Sequence, residues 1–237
     1  MSDLKVDDIT AANANTAITI KGAGTGKVVL GDGELIWPDA DGSANQYIKT
    51  DGSKNLAFAT LPAVGAWILI QSQVASSSAS LTFTSNINST YSTYALVLSN
   101  ILPATDAVDA MIRVSTNTGS SYASSGYLSF IDKSNSSAAS FDGDNGVTSG
   151  LGIAADIDNG AFGGLTSVIY ISNPSSGVAY TYLASSGSIF QSAGTHVAAA
   201  DAHAVWKTVT AVDALQLILS SGAIASGRAT LYGISHT

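Results

Sequence analysis

The sequence predicts an all-β protein, with a β-rich N-terminal arm or stem followed by an antiparallel, jelly-roll-like β-sandwich. Three observations carry that expectation. Apolar residues alternate with polar ones in about ten short runs. Gly, Ser, Asn and Asp clusters separate those runs at regular spacing, as turns separate short strands. No stretch carries the apolar stripe of period 3.6 that an amphipathic helix needs.

The chain begins with "MSDLKVDD", which is polar and acidic and does not read as a secretory signal. Next comes "ITIKGAGTGKVVLGDG", whose Gly-Lys pair invites comparison with a phosphate-binding loop. That loop needs four residues between its first Gly and the Gly-Lys, then Ser or Thr to reach a metal ion. Here only three residues separate Gly22 from Gly26, and Val28 follows Lys27. Such a loop also opens a helix whose amides face the anion, whereas "KVVLGDGELIW" continues as β-type sequence. Ile18 and Ile20 alternate with Thr19 and Lys21 before the glycines turn the chain into Val28–Leu30, so the stretch reads as strands and turns.

Residues 41 to 60 contain a ten-residue repeat, "DGSANQYIKT" followed by "DGSKNLAFAT". Asp-Gly supplies a tight turn and the apolar residues after it a short strand. Two such rungs bury too little apolar area to stand alone. The arm is therefore expected to share its core with other copies of the chain, most simply as an interleaved three-fold stem, and the division falls at 1–62 and 63–237.

Beyond it, the expected strands are "AWILIQS", "SLTFTS", "YALVLSN", "AMIRVST", "GYLSFI", "TSVIYIS", "AYTYLAS", "AVWKTVT", "LQLILSS" and "RATLYGI". The tract "DKSNSSAASFDGDNGVTSGLGIAADIDNGAFGG" is assigned to extended loops with short edge strands.

Composition narrows the function. Hydrophobic residues make up 46% of the chain and charged residues only 11%, which is too apolar for disorder. Seventeen acidic against nine basic residues leave a formal charge of −8, and no basic cluster exists to meet nucleic acid or an anionic membrane. With no cysteine, neither a disulfide framework nor a Cys-based zinc site is available. The longest apolar run, "LPAVGAWILI", is too short for a spanning helix, which takes about 20 residues.

Candidate chemistry is sparse, and no cofactor is expected. Sixteen of the seventeen acidic residues are Asp, and Asp32, Asp41, Asp51 and Asp142 each precede Gly, where a carboxylate accepts backbone bonds in a turn. Pairs at i and i+2 (Asp39/Asp41, Asp142/Asp144, Asp156/Asp158) offer oxygens to Ca²⁺ but lack the remaining ligands of a complete loop. His196 and His203 flank Asp201, with no Gly-x-Ser-x-Gly elbow beside them. Tyr91, Tyr94, Tyr122, Tyr127, Tyr180 and Tyr182 lie among Ser, Gly and Asn. Either they form a rigid gripping surface, or they pair in the core and across strands.

Three stretches, "WPDADGSANQYIKTDGSKNLAFA", "YSTYALVLSNILPATDAVDAMIRVSTNTGSSY" and "SSGAIASGRATLYGISHT", resemble tailed-phage virion surface proteins. The resemblance implies a β-rich stem and a trimeric C-terminal sandwich, used as a capsid cement protein or at a tail-fibre or tailspike tip. An arm of about 60 residues is short for a fibre shaft, which favours a non-enzymatic homotrimer decorating the outer head surface and holding the major capsid protein. Leu4, Val6, Ile9, Ile18, Ile20 and Trp37 are then the arm's capsid or trimer contacts, and Trp67 marks the junction or the core. The alternative is a short fibre that grips a host surface glycan. Its receptor-binding loops are expected at 115–125 and 132–164, with Tyr122, Tyr127, Asp142, Asp144, Asp156 and Asp158 as candidate contacts. A glycan hydrolase, which needs two carboxylates in one cleft, ranks last.

Overall fold

The computed structural model describes residues 29–30, 35–38, 42–60, 66–132, 149–191 and 196–235, all without helix. The chain divides into two compact units, Met1–Val64 and Gly65–Thr237.

In the first unit, β1 (Val29–Leu30) and β2 (Leu35–Ile36) pair antiparallel. The segment after Lys27 thus runs as strand, not as the helix a phosphate loop would open. The two copies of the ten-residue repeat supply the two strands of a second hairpin, β3 (Gln46–Thr50) and β4 (Leu56–Thr60), with Tyr47 opposite Ala59 and Ile48 opposite Phe58. The repeated Asp explains the turn. Asp51 Oδ1 accepts the amides of Ser53 (2.7 Å) and Asn55 (3.1 Å), while Oδ2 accepts the Asn55 side-chain amide (2.8 Å). These bonds hold the carboxyl below its ordinary range, the Asn55 side chain contributing most. Ile36 donates to the Lys54 carbonyl and links β2 to this turn. Among this unit's residues from Ile36 onward whose side chains are described, none is buried, and Trp37, Tyr47 and Ile48 stay exposed. Leu4, Val6, Ile9, Ile18, Ile20, Asp142 and Asp144 lie outside the described residues.

The second unit is a β-sandwich of β5 (Trp67–Ser78), β6 (Leu81–Phe83), β7 (Thr93–Pro103), β8 (Val108–Ser115), β9 (Tyr127–Ile131), β10 (Leu151–Ile157), β11 (Leu165–Ser172), β12 (Thr181–Phe190), β13 (Val197–Ala199), β14 (Ala202–Trp206), β15 (Ala214–Leu219) and β16 (Ile224–Ile234). The larger sheet has the order β5-β16-β7-β11-β12-β14-β9, with β13 beside β12; the smaller is β10-β8-β15-β6. Every pairing within them is antiparallel. From β5 to β11 each connection passes from one sheet to the other, and the chain crosses twice more around β15. This alternation makes the two layers interdependent. Phe83, Ile112 and Leu217 from the small sheet and Leu96, Leu98, Ile169, Leu183 and Leu231 from the large one close a single core. Each such side chain contributes about 1.5–3 kcal/mol when fully buried.

Three expectations are corrected. The edge strand expected in the Gly/Asp-rich tract is present as β10, at the edge of the small sheet, but it is not a peripheral one: it packs into the core with Leu151, Ile153 and Ile157 at zero exposure. A bulge at Ala154–Ile157, with Asp156 at φ 57°, lets both of its faces be covered, so simple alternation is lost. "AVWKTVT" is strand only through Trp206, after which the Lys207 amide turns to bond Gly126. Tyr94 and Tyr127 are not exposed grips. Tyr94 is fully buried, its hydroxyl accepting the Asn88 amide (2.9 Å) and facing the Asn86 and Asn88 carbonyls. Tyr127 is 3% exposed, and Val114 and Ala123 occupy its hydroxyl, so it cannot meet a receptor.

Candidate functional site

The outward face of the large sheet is where this protein departs from an ordinary antiparallel layer, which turns polar side chains to water. Strand register builds the departure. Leu69, Tyr232, Tyr170, His203 and Phe130 fall on one row running across β5, β16, β11, β14 and β9, with Ala95 and Ala184 as small spacers. On the adjacent row stand Trp67, Ile234, Tyr182, Val205 and Leu128, together with Thr93 and Ser172. Leu69 is 62% exposed and Tyr182 51%, and Trp67, Leu128, Phe130 and Tyr170 are each two-fifths exposed or more.

A bulge in β5 sets this pattern. Leu231 faces Gln71 while Tyr232 faces Leu69, so Ile70 is the extra residue and the chain changes phase there. Beyond the bulge the outward residues become Ser72 and Val74, opposite Thr230 and Arg228. Gln71 and Gln73 turn inward, and both side-chain amides donate to the Thr82 carbonyl on β6 (3.3 and 3.0 Å). The face is therefore graded, with aromatic residues at one end and Ser, Thr and Arg228 at the other.

At the aromatic end the rings order one another. Trp67 meets Tyr170 edge-on at 6.1 Å and tilts over Tyr232 at 5.5 Å, arrangements that aromatic quadrupoles favour. Beside them lies an open hollow of about 440 Å³, walled by Leu128, Phe130, Tyr170, Tyr182, His203 and Val205. Among the described residues no carboxylate lines it. What it offers is flat apolar area, a few hydroxyls and one imidazole.

No family model, curated protein or solved structure matches this chain.

The loop residues singled out from sequence are placed as follows. Tyr122 is half-buried in the β8–β9 loop, where burial and then the Asp213 charge raise its phenol. That loop is tied down: the Ser115 hydroxyl accepts the Asn117 and Gly119 amides, and Asp213 accepts the Thr118 amide. Asp156 sits at the β10 bulge, its amide donating to Asp109 Oδ1 (3.2 Å). Asp158 accepts the Gly160 amide (3.0 Å), a turn role. Among the described residues no group of three or more His, Asp or Glu could hold a metal, and no helix is long and apolar enough to cross a membrane.

Sequence reasoning missed Leu69, Leu128, Phe130, Tyr170 and Val205, as well as one tip, Val178 (91% exposed), while Phe162 (87% exposed) falls within the expected 132–164 loop without having been singled out. A signal was present. "WILI", "YLSFI" and "VIYI" are apolar on both parities, the pattern of a strand covered on both sides.

Proposed function

We propose that this chain is a non-enzymatic structural protein of a phage virion, a homotrimeric cement protein that decorates the outer head surface and stabilises the shell. The virion setting rests on the resemblance of the three stretches quoted above. The observation that supports an assembling role is the outer sheet face, a contiguous aromatic surface with no carboxylate among the described residues of its hollow. Exposed apolar patches of this kind mark protein contacts. In the first unit the exposure of Trp37, Tyr47 and Ile48 supports the same reading, because these apolar side chains need partners. A cement protein acts by mass action: it binds the assembled shell and not its separated subunits, and so shifts the equilibrium toward the shell.

The experiment is a copy count on purified virions, by quantitative gel densitometry against the major shell protein. Approximately one copy per shell subunit supports decoration of the head; a count far below that overturns it.

A second reading is favoured by Phe162 and Val178, two apolar tips on the β10–β11 and β11–β12 loops. In a tail-fibre tip such residues would touch the host receptor. A low copy number, together with loss of cell adsorption in Phe162→Ala, would select this role.

A further inference from the structure

We propose that Asn159 is a site of covalent self-modification: the Gly160 amide displaces the Asn159 side-chain ammonia, with the Asp158 carboxylate as the base. The proposal goes beyond the assembling role and stands independently of it.

Asp-Asn-Gly occurs twice in the chain, at 144–146 and 158–160, and these triplets hold its two Asn-Gly pairs. Glycine matters because no Cβ shields the nitrogen that must attack. In the 158–160 copy the fold has already brought the reacting groups together. The Asp158 amide donates to the Phe190 carbonyl on β12 at 3.0 Å, which anchors the residue. Its Oδ2 in turn accepts the Gly160 amide at 3.0 Å. An Asp side chain commonly bonds the backbone two residues on, but here the amide it holds belongs to an Asn-Gly pair, so the carboxylate already touches the proton that the nucleophile must lose. Asn159 is exposed and open to water. Its Nδ2, the leaving nitrogen, donates to the Ala104 carbonyl in the β7–β8 turn at 3.2 Å.

The step balances within the triplet. The Gly160 nitrogen bonds to Asn159 Cγ as its proton passes to Asp158; the Cγ–Nδ2 bond breaks, and that proton departs with Nδ2 as ammonia. The carboxylate is restored and a cyclic imide remains. Water then opens the imide at either carbonyl, leaving an aspartyl or an isoaspartyl linkage at position 159. Both products lose the donor to Ala104 and set a second carboxylate beside Asp158. The isoaspartyl form also inserts a methylene into the main chain, in a turn with little slack: the Gly163 amide donates to the Gly160 carbonyl at 2.9 Å, and a Cβ on Gly163 would meet the Asp158 carbonyl. Phe162, 87% exposed, rides on that turn. The conversion is thus a slow, one-way change in the Phe162 tip.

The experiment holds the full chain in native buffer and in guanidinium chloride at the same neutral pH and temperature, and follows both Asn-Gly pairs by peptide mass spectrometry. Heavy-oxygen water marks the hydrolysis, and isoaspartyl methyltransferase marks the isomer. The two triplets are identical in sequence, so in denaturant they should convert alike. In native buffer Asn159 should convert at least as fast as it does in denaturant. Asp158→Asn keeps a side-chain oxygen for the turn but cannot take the proton, and it should slow the native conversion about tenfold or more, since a positioned base is lost. In denaturant the same substitution should change little. Two results would overturn the proposal: a native Asn159 that stays intact while the denatured one converts, or an Asp158→Asn chain that converts natively at the wild-type rate. The first comparison needs no variant, so a substitution that misfolds leaves the test standing.

Discussion

Tyr127 on β9 and Val114 on β8 join the two sheets through the core, the buried Tyr127 hydroxyl accepting the Val114 amide proton at 3.1 Å. The same hydroxyl donates to the Ala123 carbonyl at 3.0 Å, and Ala123 returns its own amide to the Val114 carbonyl at 2.9 Å. One phenol thus anchors the start of β9, the end of β8 and the loop between them.

Tyr127→Phe should therefore cost about 1–2 kcal/mol, because it leaves a buried amide and carbonyl without their partner while keeping the ring. Urea unfolding at constant m-value would read this loss. A change within error of zero would mean that water or a shifted loop replaces the hydroxyl.

Burial raises the phenols of Tyr94, Tyr122 and Tyr127 above the ordinary tyrosine value. Raised acids bind protons more tightly in the folded state than in the unfolded state. Their contribution is complete below about pH 10, where unfolded tyrosine titrates, and is lost as pH rises through the raised native values. The thermal midpoint should fall across this alkaline window. The fall should be shallower in Tyr127→Phe than in wild type.

Gly227 lies on β16 where the ladder to β7 slips, with φ at +117°, and a Cβ there would meet the Asn100 carbonyl oxygen and approach Ile101 Cα to 2.8 Å. Both obstacles are backbone and cannot swing away. Gly227→Ala should destabilise the second unit by about 2–4 kcal/mol through strain and overpacking. Gly177→Ala, where nothing lies within 4 Å, should be close to neutral. Equal urea midpoints for the two variants would contradict this.

In the first unit, the Asp51 carboxylate organises the β3–β4 turn, with Gly52 and Lys54 both at positive φ. Its lowered titration gives the sign: the turn gains from ionised Asp51 above about pH 4 and loses that gain as pH falls through the lower native value. Amide exchange at Ser53 and Asn55 should accelerate on acidification relative to its intrinsic rate, and Asp51→Ala should show the faster exchange at neutral pH.

The ten expected strands correspond to strands of the sandwich because their cue is local. Apolar residues at every second position, as at Tyr94, Leu96 and Leu98, can share a face only in extended chain. The depth of β10 was not legible, because Leu151, Ile153 and Ile157 are interleaved with Gly152, Ala154 and Asp156 in a tract that reads mostly as loop with short edge strands. Its second covered face comes from packing against β9, β12 and β14, strands distant in the chain. The candidate surface was legible only as excess. "YLSFI" and "WILI" have more apolar residues than one buried face can use, but nothing local says that Phe130 and Leu69 fall on one row.

By itself the sequence determined the class of the fold, the hairpin built from a repeated Asp-Gly turn, and a composition that is acidic and free of cysteine. Each of these depends on residue type and near neighbours. Only the tertiary structure decided which tyrosines are internal, that Asp156 serves a bulge, and that side chains from separate strands gather into one uncharged aromatic face. Those outcomes depend on strand order, register and the phase change at Ile70, which long-range pairing sets and no local pattern encodes.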